Sequence, residues 1–103
     1  PATPQAATAA EAAPSPLHST DSFAEAIAAF RSGRYNEANK LLQTFLGENP
    51  SDPRSEDAAF LRAVSRARLG DAHGAAVLAR EYLRRFPNGL RRPEAESLSR
   101  QAP

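Results

Sequence analysis

Slid along itself by 37 residues, the sequence matches itself, with residues 23–50 falling on residues 60–87. Eight of these 28 positions are identical: Phe23/Phe60, Ala26/Ala63, Arg31/Arg68, Gly33/Gly70, Ala38/Ala75, Leu41/Leu78, Leu46/Leu83 and Pro50/Pro87. Ile27/Val64 and Phe45/Tyr82 are conservative exchanges. The identities sit at turn and packing positions, where two unrelated amphipathic stretches have little reason to agree. A short chain that repeats in this way is built from like supersecondary units, each burying its apolar face on its neighbour.

The apolar spacing says what those units are. Phe23, Ala26, Ile27 and Phe30 recur at i, i+3, i+4 and i+7, and Ser22-Phe23-Ala24-Glu25 fits a capping box. A helix is therefore expected to start at Ser22 and to stop at Gly33. A second is expected from a cap near Asn36, carrying Ala38, Leu41, Leu42, Phe45 and Leu46 until Gly47 and Pro50 end it. Asp52-Pro53 reads as a cap and first position for a third helix, with Ala59, Phe60, Ala63, Val64 and Ala67 on one face and Gly70 closing it. Asp71 can cap a fourth, holding Ala75, Leu78, Ala79, Tyr82, Leu83 and Phe86 ahead of Pro87. After an Asn88-Gly89 turn, Pro93 opens a short last helix reaching Gln101, with Ala95 and Leu98 as its apolar side. No stretch alternates as a strand, so the fold expected is all-α.

The repeated residues have distinct jobs in such a hairpin. Gly33 and Gly70 let the chain leave one helix with positive φ and reverse into its partner. Ala26 and Ala63 on the first helix, facing Ala38 and Ala75 on the second, let the two backbones approach. Pro50 and Pro87 terminate the second helix and aim the chain at the next unit.

The N-terminal stretch is of another kind. Residues 1–16 hold seven alanines and four prolines with Glu11 as their one charge, and no branched aliphatic or aromatic side chain. Such a segment has nothing to bury against the entropy of ordering it. Residues 1–17 read as a disordered Ala/Pro-rich linker, and residues 18–103 as a helical repeat domain. The chain holds no methionine, which suggests a processed protein or a piece cut from a longer one.

Charge and reactive groups narrow the function. The net charge is +1, with twelve arginines against one lysine. Residues 80–100 carry six arginines against Glu81, Glu94 and Glu96, a distribution that fits a solvated helical face. No cysteine is present, so disulfides and thiolate chemistry are excluded. His18 and His73 lack companions at metal-ligand spacing. Glu56 and Asp57 are adjacent and so point to different helix faces. Ser51, Ser55 and Ser65 have no activating motif, and Gly33, Gly70, Gly74 and Gly89 form no phosphate loop. Neither an enzyme nor a cofactor or metal site is expected. Nucleic acid is not expected either, because no aromatic residues interleave Arg62, Arg66, Arg68, Arg84, Arg85, Arg91 and Arg92 for base stacking. No apolar run reaches the roughly 18 residues that cross a bilayer, so direct membrane insertion is not expected.

The order of small residue, glycine turn, alanine, aromatic and terminal proline resembles the tetratricopeptide repeat. The matching residues are Ala26, Gly33, Tyr35, Ala38, Phe45 and Pro50, then Ala63, Gly70, Ala75, Tyr82 and Pro87, within residues 20–101. There are departures. The large residue that opens the first helix is displaced to Phe23 and Phe60, Tyr35 becomes Ala72, and the period is 37 instead of roughly 34. The longer connections FLGENPSDPRSEDAAF and YLRRFPNGLRRPEAESL resemble a bacterial envelope subgroup that includes Tol-Pal coordinator proteins and outer-membrane assembly lipoproteins.

The resemblance implies a right-handed α-α superhelix of about two and a half units, near residues 20–52 and 56–89, with a capping helix over 93–101. It implies a non-enzymatic protein–protein interaction or scaffolding module in the periplasm or cell envelope, with the cytoplasm left open. The first helix of each pair would line a concave face carrying Phe23, Ile27, Phe30 and Arg31, then Asp57, Phe60, Leu61, Val64, Ala67 and Arg68. The lysine/asparagine clamp that some members use for a terminal carboxylate is missing. An apolar trough with two arginines suits a hydrophobic or helical peptide bearing an acidic group; the alternative is that Phe23, Phe30 and Phe60 are core. Arrays of fewer than about three units leave apolar surface uncovered, so a homodimer or a larger parent chain is expected. Rival readings are the sensory or regulatory tail of a transmembrane signalling protein, of the transcription-regulator or anti-sigma type, and, behind it, a nucleic-acid-binding helical domain using the C-terminal arginines.

Overall fold

The computed structural model describes residues 18–101, so the expected linker over residues 1–17 lies outside the described residues. Five helices follow one another: α1 (His18–Arg31), α2 (Tyr35–Glu48), α3 (Ser55–Arg68), α4 (Ala72–Arg85) and α5 (Arg92–Arg100). The described residues hold no strand. Each helix packs on the next, and α3 also touches α5.

Two glycine turns set the hairpins. Gly33 has φ 81° and Gly70 φ 85°. Around Gly33, the Arg34 backbone N–H donates to Ala29 O at 2.9 Å and the Gly33 N–H to Phe30 O at 3.1 Å. Around Gly70, the Asp71 N–H donates to Arg66 O at 2.9 Å and the Gly70 N–H to Ala67 O at 3.0 Å. Both ends are Schellman closures, which satisfy the last carbonyls of the helix by turning the chain through a left-handed residue.

The residue after each glycine serves two helices. It makes the closing bond of one and is the N-cap of the next, which reverses the chain within three residues. This is why α2 begins at Tyr35, with Arg34 as N-cap, and not at a cap near Asn36. Asp71 fills its dual position well, accepting a hydrogen bond from the Gly74 N–H at 2.9 Å. Arg34 has no acceptor to offer; its guanidinium instead reaches Glu37 at 2.7 Å, an exposed pair of small value.

Three further boundaries differ from expectation. α1 already runs from His18, so Ser22 and Glu25 lie within the helix and form no capping box; no proline or glycine interrupts the chain between Leu17 and Gly33. α2 continues through Gly47 to Glu48, and Asn49 closes it, its backbone N–H and its Nδ2 both donating to Phe45 O. α3 starts at Ser55, not at Pro53. Asp52 caps the preceding turn, accepting from the Arg54 N–H at 2.8 Å and from the Arg54 guanidinium at 3.0 and 2.9 Å. Those bonds, with the side-chain one foremost, hold the Asp52 carboxyl below its usual range.

The core comes in two clusters of one design. The first contains Ala26, Leu42, Phe45 and Ala58, with Phe23, Leu41, Leu46 and Leu61 packed against it. The second contains Phe60, Ala63, Ala79, Tyr82 and Ala95, with Leu78, Leu83 and Leu98 among its flanking residues. Ala58/Ala95 and Leu61/Leu98 stand 37 apart, so the repeat continues beyond Pro50 and Pro87. Each hairpin is therefore completed by the first apolar residues of the helix that follows, and α5 does for the second what α3 does for the first. Leu61 packs on both clusters and joins them.

These turns make distinct predictions. A Cβ added at Gly33 or Gly70 meets no atom within 4 Å, so the cost of alanine there is purely conformational, about 1–2 kcal/mol for a left-handed residue. Gly47→Ala, at a helical position with the same open space, should instead stabilise by about 0.5–1 kcal/mol. Arg34→Asn should add the missing cap and about 1 kcal/mol. Urea denaturation midpoints of the four variants check all three signs.

Candidate functional site

The anticipated face spans one side of α1 and α3, and its residues fall into three groups. Phe60 is 9% exposed and belongs to the second core cluster. Phe23 is half-buried, its ring 5.2 Å from that of Phe45. Both take part in interior aromatic pairs; the second is Phe60 with Tyr82 at 6.0 Å, edge to face. Ile27, Leu61, Val64 and Ala67 are half-buried. Arg31, Asp57 and Arg68 are exposed.

An arginine lies over a ring of each interior pair, a role that the apolar spacing does not reveal. The Arg54 guanidinium is 5.1 Å from the Phe23 ring centre and 5.2 Å from that of Phe45. Arg91, 37 residues further on, is 5.5 Å from the Phe60 ring. A guanidinium stacked on a ring face is attracted by the ring quadrupole while its outer edge stays wet. Continuing the 37-residue comparison past Pro50 would have found this pair, since Arg54 and Arg91 are identical at the matching position.

The second hairpin adds a polar knot. The Tyr82 hydroxyl donates to Glu56 Oε2 at 2.7 Å, the Leu90 N–H donates to the same oxygen at 2.7 Å, and the Arg91 N–H donates to the Tyr82 hydroxyl at 3.0 Å. A side chain at Gly89 would collide with both the hydroxyl and the carboxylate. Glu56, set aside in sequence as half of a non-facing acid pair, thus ties α3 to α4 and to the turn before α5. Burial pushes the Tyr82 hydroxyl up to about 12, and its hydrogen bond to Glu56 adds to the shift.

At the glycine-turn end, the anticipated face gathers around Tyr35. The Phe30 ring meets it edge-on at 5.3 Å. Arg68 Nη1 donates to the Tyr35 hydroxyl at 3.2 Å, with its guanidinium 5.8 Å from the ring. Phe30, Tyr35 and Arg68 thus make an aromatic patch with an exposed cation at one end of the first hairpin, and the exposed Arg31 follows Phe30 at the end of α1.

A hollow of about 300 Å3 opens elsewhere, where α2, α3 and α4 meet. Leu46 and Gly47 come from α2, Ala59 and Arg62 from α3, and Leu78, Glu81 and Arg85 from α4. None of the anticipated concave residues lines it. At about 100° per residue, Ala59 and Arg62 lie on the side of α3 opposite Leu61, Val64 and Arg68.

The other arginines are mostly engaged. Arg66 pairs with Asp71, Arg84 with Glu81, Arg91 with Glu94 and Arg92 with Glu96, at 3.1, 3.8, 3.6 and 2.9 Å. Among the described residues, no three metal-ligating side chains come together and no helix is long and apolar enough to cross a membrane. Compared with protein-family models, with curated proteins and with solved structures, the chain matches none.

The Tyr82 knot gives a signed pH dependence. Tyr82 in the folded chain holds its proton to about pH 12, against 10.0 for the ordinary group. Below pH 10 both states are protonated; above it the unfolded chain loses the proton first, so stability should fall between pH 10 and about 12. Tyr82→Phe should cost about 2 kcal/mol at pH 7 and lose that alkaline slope. Urea titrations across this pH range, set beside the phenolate absorbance, check it.

Proposed function

We propose that this chain is a protein–protein interaction or scaffolding module, a short tetratricopeptide-like array wound as a right-handed superhelix. Support comes from the doubly repeated hairpin: glycine closure, facing alanines, aromatic pair and arginine recur at one period. A rigid stack of like hairpins presents an extended surface and builds no enclosed reaction chamber. The envelope setting rests on the resemblance of the two connections to bacterial envelope members, which assemble or coordinate larger complexes.

The observation that carries the binding reading is the patch of Phe30, Arg31, Tyr35 and Arg68. Its rings are only partly covered and its two arginines are exposed. Aromatic residues and arginine are the side chains that most often anchor protein interfaces, and a guanidinium pair selects an acidic segment. The partner proposed is a hydrophobic or helical peptide carrying an acidic group. Self-association through the remaining apolar surface, to which Leu69, Val77 and Leu90 contribute exposed side chains, is a second mode, read by sedimentation across micromolar concentrations.

Phe30 and Phe60 separate support from contact. Phe60→Ala should cost about 3–5 kcal/mol of stability, whereas Phe30→Ala should cost about 1 kcal/mol and weaken partner capture. The double change Arg31→Glu and Arg68→Glu should leave the helical circular dichroism intact. It should also abolish capture of partners from a bacterial envelope extract; capture that survives it would remove this face from the interaction.

A further inference from the structure

Arg62 is the cation whose surroundings call for a partner. It projects from α3 into the hollow, and burial lowers its pKa from the usual arginine value, so it is partly stripped of water. Its one hydrogen bond among the described residues is a long one, from Nε to Asn39 Oδ1 at 3.4 Å. No carboxylate comes within 4.0 Å of it among the described residues; Glu81 shares the hollow without reaching that distance. Glu81 is half exposed and leans on Arg84. Arg85 stands on the same lining and donates to Pro50 O at 3.3 Å. The lining thus carries two guanidinium groups against one carboxylate.

Gln43 and Tyr82 also line the hollow, and its apolar part is kept open by missing side chains. Leu46 and Leu78 supply aliphatic surface, Ala59 supplies little bulk, and Gly47 supplies none. Gly47 sits inside α2, where no positive φ calls for glycine. Its counterpart one repeat later is Arg84, and the counterpart of Ala59 is Glu96. In the matching crease between α4 and α5, Arg80 donates to Ser99 O at 3.2 Å, tying the two helices together. The small residues at 47 and 59 are thus departures from the repeat, placed at the hollow.

We infer that this hollow docks a segment of a partner protein that inserts an aliphatic side chain between Leu46 and Leu78 and lays a neighbouring glutamate carboxylate on Arg62. The occupant follows from charge complementarity: an unpaired, partly desolvated guanidinium beside aliphatic walls is satisfied by a carboxylate carried next to an apolar group. This site rests on the reading of the chain as an interaction module, but it uses the side of α3 opposite to Arg31, Tyr35 and Arg68. The chain would then hold partners on two faces.

The test is an amide-shift titration of the full 103-residue chain, labelled with nitrogen-15, using an acetylated and amidated Glu-Leu-Leu-Glu tetrapeptide. Saturable shifts are expected at Gly47, Ala59, Arg62 and Leu78. The Gln-Leu-Leu-Gln peptide, and the R62Q variant with the acidic peptide, should each bind at least about tenfold more weakly. Gly47→Leu provides a control on folding, because its side chain starts in open space; it should keep the fold and fill the hollow, abolishing the shifts. Shifts centred on Phe30 and Arg68, no saturation at millimolar peptide, equal binding of the glutamine peptide, or binding that survives Gly47→Leu would each overturn the proposal. Free 4-methylpentanoate binding as tightly as the peptide would also overturn it, by making the hollow a small-acid site. The Arg31→Glu, Arg68→Glu double variant separates the two readings: it should leave the tetrapeptide titration unchanged while removing capture on the other face.

Discussion

Each hairpin is organised around two aromatic rings with a guanidinium laid over both of them in the first and over Phe60 in the second. Phe23 and Phe45 lie under Arg54, and Phe60 pairs with Tyr82 under Arg91. The two rings come from the two helices of the hairpin, while the arginine comes from the turn that leads into the next helix. One contact therefore fixes both the closure of a hairpin and the arrival of its neighbour. Ala58 and Ala95, four residues after each arginine, then enter the core that the rings have shaped. Because the cover is supplied by the following element, no hairpin is complete alone, which is the physical origin of cooperativity in stacked repeats.

The two units solve the same problem with different polar chemistry. In the first, Asp52 clamps Arg54 through three hydrogen bonds, orienting the guanidinium over two phenyl rings. In the second, position 52 has become Gly89, and the turn is instead tied down by Glu56 and the Tyr82 hydroxyl. The hydroxyl that distinguishes Tyr82 from Phe45 is thus not a neutral exchange. It gives a 1%-exposed side chain a polar end that must be paired, and the Glu56 carboxylate and the Arg91 N–H pair it.

Two surfaces emerge from this frame, and they differ in kind. The patch around Tyr35 is aromatic and cationic material at the end of a hairpin. The hollow at Arg62 is a gap in the packing itself, where α2 carries Gly47 at the position that α4 fills with Arg84. A repeat protein acquires such features by departing from its own period: positions kept at the repeat interval build the frame, and positions that break the interval are free to specialise.

The sequence by itself determined the helices, their pairing and their turns. Gly33 and Gly70 could be read as left-handed closures because only glycine takes that conformation without cost, and Ala26, Ala38, Ala63 and Ala75 as close contacts because only a small side chain permits them. Helix starts were less legible. Asn36, Ser22 and Asp52 are all good caps by residue type, but the dual role of the residue after each glycine, the unbroken chain before Phe23 and the Arg54 clamp decided otherwise. The Arg62 hollow and the Glu56–Tyr82 knot were not legible at all. Both depend on which side of α3 faces α2 and α4, and on distances between residues 26 to 35 positions apart in the chain. Periodicity assigns a residue to a face of its own helix; only the packing of three helices decides what that face meets, because contact energy depends on the neighbour and not on the residue alone.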